Sequence, residues 1–162
     1  MIAIVALIAI DALQASPFGP GGGASGEKAP DFTLKDIYGK EFSLSDFKGK
    51  VVILDFFYIN CSACRAEIDE LKQIKSKFGA QVVIISISVN PMDTNEALRK
   101  FAKEHGINWI VARDTANLAD TYGVSAVPTL VIIDKEGYIR YTHVGFTSYE
   151  ALENEVMELL EA

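Results

Sequence analysis

Val51-Val52-Ile53-Leu54-Asp55-Phe56-Phe57 runs, across Tyr58-Ile59-Asn60, into Cys61-Ser62-Ala63-Cys64, and this stretch decides how the chain folds. Residues 51–57 are a near-continuous apolar run rich in β-branched side chains, the pattern of a buried strand. From Arg65 to Phe78 the composition suits a helix, and Ile68, Leu71, Ile74 and Phe78 fall at i, i+3, i+6 and i+10. The only two cysteines of the chain therefore stand at a strand-to-helix junction, with Cys61 at or beside the helix N-terminus. Free N–H groups and the helix macrodipole favour a thiolate over a thiol there. A second thiol one turn on is within reach to close a disulfide. Thiol–disulfide exchange needs this pairing: one accessible, low-pKa thiolate attacks, and a second thiol resolves the mixed disulfide. Cys61 fits the attacker, and Cys64, further into the helix, the resolver.

The rest of the chain narrows the alternatives. A chain of 162 residues supports one domain with a sizeable core. Its net charge of −7 argues against nucleic acid or an anionic membrane surface as partner. Much of that acidity (Glu150, Glu153, Glu155, Glu158, Glu161) falls in the last helical segment, a solvated face. Two cysteines allow one intrachain disulfide, too few for a disulfide-stapled scaffold. A zinc site would need two more ligands, and only His105 and His143 exist; both read as solvated histidines. No metal or organic cofactor is expected beyond the redox-active pair itself.

Residues 1–10 are an uncharged apolar run ended by Asp11, and residues 1–15 read as a signal-like or anchoring segment. The run falls below the length of about 17 residues that spans a bilayer alone, and the positively charged n-region of a signal peptide is missing. Residues 16–28 follow as a flexible Gly/Pro-rich tether; from Ser16 to Gly26 every residue except Phe18 is Gly, Pro, Ser or Ala. Such an order fits a tethered extracytoplasmic protein, and a cytoplasmic location follows if residues 1–15 are not a targeting segment.

Residues 29–162 carry the domain. Segments 31–34 and 41–44 alternate around Tyr38-Gly39-Lys40 as a short hairpin. A second buried strand covers 81–89, and Asn90-Pro91 breaks it. Asp93 with Glu96 predicts a capping-box helix start, the helix running to about His105. A short strand is expected at 109–111, a short helix at 117–122 and a third apolar strand at 129–133. A turn at Asp134-Lys135-Glu136-Gly137 and a returning strand to Val144 follow. Thr147 with Glu150 predicts a second capping box for a closing helix over 148–161. The predicted fold is α/β, a central mixed β-sheet with helices on both faces.

Over residues 29–146 the chain resembles the thioredoxin-fold superfamily. Four features occur in that family's order: a buried strand ending near Asp55, the C-x-x-C at 61–64, Val127-Pro128-Thr129, and Gly145 after the last strand. The resemblance implies a cis-proline at Pro128 lying against the active-site disulfide. Cis bonds are nearly confined to X–Pro, and among the five prolines the resemblance points to Pro128. Asp55, six positions before Cys61, corresponds to the buried acid of thioredoxins. Ala29-Pro30-Asp31-Phe32-Thr33-Leu34, Gly39-Lys40 and Leu44-Ser45-Asp46-Phe47-Lys48-Gly49-Lys50 resemble the N-terminal hairpin of the AhpC/TSA and TlpA/ResA-like redoxins. The helix and strand at 94–111 match the central insert of the TlpA/ResA-like branch, and Glu67 an acid that this branch carries near its active site. That branch implies a membrane-tethered extracytoplasmic thiol–disulfide oxidoreductase, here a monomer, acting on protein dithiols or disulfides with a redox partner protein.

Each further candidate has a chemical role and a plainer reading. Asp55, buried at the end of an apolar strand, would have a raised pKa and could take the proton of Cys64; its plainer reading is a strand-end acid facing water. Glu67 is equally readable as a surface acid complementing the helix dipole. The backbone of Val127, with Pro128, would pair with an extended substrate peptide. Asn60 replaces the tryptophan that commonly precedes the first cysteine and lies where substrate would bind. Two other activities differ in motif. A peroxiredoxin places a threonine three positions before its cysteine, where this chain has Tyr58, and a proline further upstream, where it has Leu54. A Sco-like copper chaperone spaces its cysteines C-x-x-x-C, and His143 would be its only available histidine partner.

Overall fold

In this computed structural model, which describes residues 26–162, strand β3 (Val51–Phe57) is central and wholly buried. It pairs in parallel with β4 (Val82–Ser88) and antiparallel with β6 (Thr129–Ile133). Strand β5 (Ile110–Arg113) extends the sheet in parallel beyond β4, and β7 (Ile139–Val144) runs antiparallel beyond β6. The result is a mixed five-stranded sheet in the order β5-β4-β3-β6-β7. A separate hairpin of β1 (Thr33–Lys35) and β2 (Glu41–Ser43) precedes it.

Alternation along β3 sends its two rows of side chains to two cores. Val51 and Ile53 pack with Leu71 and Ile74 of α1 (Ser62–Phe78) and with Leu152 and Val156 of α4 (Tyr149–Glu161). Val52, Leu54 and Phe56 pack with Phe32, Leu34 and Phe42 from the hairpin region. Leu118 of the four-residue helix α3 (Leu118–Thr121) joins that second core. Helix α2 (Asn95–His105) sets Leu98 and Phe101 beside Phe57, Ile68 and Val111. Helices thus lie on both faces, the second face having only the shortest of them.

Helix α2 stops at Gly106, whose φ of 64° is a left-handed conformation that suits glycine and lets its N–H reach the carbonyls of Ala102 and Lys103. Both expected helix starts lie one residue too early. Thr94 and not Asp93 caps α2, its hydroxyl accepting from the N–H of Ala97, and Ser148 and not Thr147 caps α4, accepting from the N–H of Ala151. In each case the residue before the cap is buried and bonded to a distant part of the chain.

Backbone pairing of the domain begins at Glu27, whose carbonyl accepts from the N–H of Ile139, and Lys28 bridges to Tyr138. The segment expected to anchor or target, residues 1–15, and most of the expected tether lie outside the described residues. Among the described residues no helix is long and apolar enough to cross a membrane.

Candidate active site

Cys61 is the N-cap of α1, and its sulfur accepts the backbone N–H of Cys64 at 3.1 Å. The two residues form a disulfide with their Cα atoms 5.2 Å apart. Both are largely covered, Cys61 at 7% and Cys64 at 3% exposure, with Cys61 the more exposed of the two. The loop leading into the pair is tied down from two sides. The N–H of Ile59 donates to Asp93 Oδ2 at 3.0 Å, and Arg65 Nη1 donates to the carbonyl of Ile59 at 2.9 Å. Asp93 also accepts from Ser88 Oγ at 2.7 Å and from Asn90 Nδ2 at 3.3 Å. Burial of Asp93 is compensated by these donors, as a buried carboxylate requires.

Two carboxyl groups are buried nearby in the chain, one on β3 and one on α1. Asp55 occupies the same row of β3 as Val51 and Ile53 and is 4% exposed. Desolvation pushes its pKa up to about 7, against the opposing pull of Ser86, whose hydroxyl donates to Oδ2 at 2.7 Å. Ser86 is the register partner of Asp55 on β4, and its own Oγ accepts from Trp109 Nε1 at 2.9 Å. Glu67, one turn beyond Cys64 on α1, is only 1% exposed. Its pKa is raised to about 8, by burial first and by the charge of Asp55 second, while the N–H of Thr147 draws it back and Glu70 adds to the rise. That N–H donates to Glu67 Oε2 at 2.7 Å, whereas Oε1 is buried with no partner. A protonated Glu67 resolves part of this picture: its proton belongs on Oε1, leaving Oε2 to accept from Thr147. Glu70 likewise accepts the N–H of Tyr149 at 2.5 Å, so α1 grips the start of α4 through two carboxyls.

The Val127–Pro128 peptide bond is cis. Val127 packs against the cluster that contains both cysteines, and the carbonyl of Pro128 accepts from the N–H of Gly145 at 2.8 Å. Gly145 has φ of 91°, a conformation that disfavours a side chain, and so lets the chain turn at this contact. A groove of about 380 Å³ lies beside Val127, lined by Tyr58, Val89, Ala119 and Val124–Val127. Phe146 next to Gly145 is 52% exposed and Asn60 is exposed, so polar and apolar surface both border the site.

Cys61, Cys64 and Val127 thus share one cluster and Asp55 and Glu67 are coupled to each other, whereas the histidines stand apart. His143 Nε2 lies 2.8 Å from Glu155 Oε2 on α4, and His105 packs its ring on Phe101 with centroids 4.4 Å apart. Both are half-buried rather than freely solvated. Among the described residues no group of three or more His, Cys, Asp or Glu is arranged to hold a metal ion. Sequence reasoning missed Ser86, Trp109, Asp93 and Thr147. One signal was available: Ser86 and Ser88 interrupt an apolar strand at spacing two, which places both hydroxyls on one face.

The AhpC/TSA family model matches residues 25–142. The thiol-disulfide oxidoreductase ResA of Bacillus subtilis is 34% identical over 139 residues, spanning 85% of this chain and 76% of that protein. A crystal structure of a candidate thiol:disulfide interchange protein DsbE from Chlorobium tepidum superposes with a TM-score of 0.76 at 32% identity, covering 83% of this chain and 96% of the other. The exposed lipoprotein thioredoxin Etrx1 of Streptococcus pneumoniae gives 0.69 at 33% identity, covering 80% and 100%. The chain belongs to the AhpC/TSA family and is a thiol–disulfide oxidoreductase with a thioredoxin-like fold.

Proposed function

We propose that this family member exchanges the Cys61–Cys64 dithiol and disulfide with protein substrates, Cys61 attacking and Cys64 resolving. The observation that carries the division of labour is the placement of the pair on α1, with Cys61 as the N-cap and Cys64 within the first turn, on a helix that also holds the buried Glu67 and packs against the strand of the buried Asp55, both carboxyls with pKa values raised by burial. Asp55, desolvated on the central strand and raised toward neutral pH, is the carboxyl we assign as acceptor of the Cys64 proton, with Glu67 coupled to it.

In the reducing direction a substrate disulfide is attacked by the Cys61 thiolate and one substrate sulfur leaves. The Cys64 thiol then gives its proton to Asp55, directly or through one water, while its sulfur attacks that of Cys61. The Cys61–substrate bond breaks, the Cys61–Cys64 bond forms, and the substrate departs as a thiolate with two electrons gained. The disulfide itself carries the electrons and no further cofactor enters. An extended substrate segment would lie along Val127 and Pro128, pairing with the backbone of Val127, with Asn60 and Phe146 bordering it.

An extracytoplasmic monomer, tethered through residues 1–15 and a linker to about residue 28, fits the apolar and Gly/Pro-rich composition of that stretch. The name of the pneumococcal relative, an exposed lipoprotein, favours the same placement.

Trapping tests the cysteine roles. Cys64→Ser should accumulate mixed disulfides with substrate and Cys61→Ser should not, and iodoacetamide at neutral pH should label Cys61 first in the reduced protein. Preferential labelling of Cys64 would reverse the assignment. The equilibrium potential of the pair decides direction: about −270 mV or lower suits a reductant, and about −120 mV an oxidant.

A further inference from the structure

The buried acid of β3 is held by a chain of donors that arrives from the far side of β4. Trp109 precedes β5 and is half-buried; Ser86 is 1% exposed. An indole N–H can only donate, so at 2.9 Å Ser86 Oγ must be its acceptor. A hydroxyl has one proton, and that of Ser86 is therefore committed to Asp55 Oδ2 at 2.7 Å. Burial keeps the arrangement in place, because turning the hydroxyl away would leave buried groups unpaired.

We propose that Ser86, oriented by Trp109, is a positioning residue for the exchange reaction: it occupies Oδ2 of Asp55 and commits Oδ1 to receive the Cys64 proton. The proposal rests on the role given to Asp55 above. A proton placed on Oδ2 would meet the Ser86 proton head-on, whereas Oδ1 has no such opponent. The proton lost by Cys64, as its sulfur bonds to Cys61 and displaces the substrate thiolate, therefore settles on Oδ1 and leaves by the same atom. The same bond favours the ionised carboxylate and so works against desolvation, keeping Asp55 available as a base near neutral pH. The charged and titratable group facing Asp55 comes from α1: Glu67, with Glu70 behind it. Its sheet neighbours, Ser86 on β4 and Leu130 on β6, carry no charge. The α2–β5 segment thus reaches the chemistry through a single indole.

Two readouts on the full chain test this. One is the pH profile of Cys61–Cys64 disulfide formation at saturating synthetic peptide disulfide, where resolution limits the rate. The other is the 13C titration of the Asp55 carboxyl in the oxidised protein, assigned by its loss in Asp55→Asn; it reads this carboxyl apart from Glu67, with which it is coupled. Ser86→Ala should move both midpoints up by about one pH unit, a roughly tenfold lower rate on the acid limb. Trp109→Phe should move them up by less, and Ser86→Thr, which keeps a hydroxyl, should restore the parent midpoints. A purely structural role would lower the melting temperature and leave the midpoints in place. If Ser86→Ala does not fold, Trp109→Phe decides: an upward shift supports the proposal and an unmoved midpoint overturns it. If Asp55→Asn is slow while Ser86→Ala keeps the parent midpoints, the positioning role is wrong and the Asp55 relay stands. If Asp55→Asn resolves at the parent rate, the relay fails and the positioning role falls with it.

Discussion

Strand β3 offers two buried faces for comparison. Val52, Leu54 and Phe56 enter a core of hydrocarbon and aromatic rings, whereas the opposite row runs Val51, Ile53, Asp55 and Phe57, with a carboxyl where another aliphatic side chain would fit. Each buried aliphatic on the first face stabilises the fold by about 1.5–3 kcal/mol. On the second face Asp55 opposes folding once it ionises, since its pKa rises from 3.8 to about 7 in the native protein. One face is filled with hydrocarbon, and the other gives up some stability to hold a buried carboxyl.

Four measurements break or sharpen that contrast. The largest effect is on stability against pH. Because the folded-state pKa of Asp55 lies above its unfolded value, the native protein binds more protons between about pH 4 and 7, and stability falls as pH rises through that window. The loss reaches about 4 kcal/mol before levelling off above pH 7, and denaturant titrations of Asp55→Asn should lack this share of the slope. Glu67, raised to about 8, extends the decline to higher pH. A parent protein that is more stable at pH 8 than at pH 5, under conditions where the disulfide is intact, would contradict the assignment.

Next in size, Leu54→Ala on the hydrocarbon face should cost about 3 kcal/mol in the same titrations and leave the resolution rate of the folded protein unchanged. A rate loss on the scale of an active-site substitution would show that the two faces are not separable. Asp55→Asn should do the reverse, slowing resolution of mixed disulfides by about 10²-fold with no loss of stability at pH 7. Should it resolve at the parent rate, Glu67 becomes the base to test. Smallest of all is removal of residues 1–26, whose tether composition contributes no packed core. A chain starting at Glu27 should keep its melting temperature and its insulin-type reductase activity, and a drop of several degrees would place those residues on the domain.

What the sequence disclosed follows the range of the forces involved. Strands β3, β4 and β6 and the cysteine helix were legible because a buried apolar run and a 3.6-residue period are local patterns. The cysteine pair and Pro128 were legible through motif and spacing. Both helix caps slipped by one residue because two capping side chains stand side by side, Asp93-Thr94 and Thr147-Ser148. Local rules cannot choose between them. Distant partners do: Asp93 is taken by Ile59 and Ser88, and the N–H of Thr147 by Glu67. Glu67 read equally well as a surface acid, since its burial depends on the packing of the segment that starts α4, 80 residues away in sequence. Trp109 read only as the start of a short strand, because its bond to Ser86 crosses from one strand to the next.

The first dozen residues of the domain pair at both rims of the sheet. Glu27 to Ala29 pair with Gly137 to Ile139 where β7 begins, and Asp36 and Ile37 pair with Ala112 and Val111 along β5. Unpaired strand rims invite other chains to add to them, which makes them starting points for aggregation. Here the protection depends on segments synthesised first meeting partners synthesised last. Until β7 has emerged and folded, one rim stays open, so a chain stalled or cut before residue 139 presents a sticky border that the finished molecule hides. Contacts this far apart in sequence also slow folding, which lengthens the exposed interval.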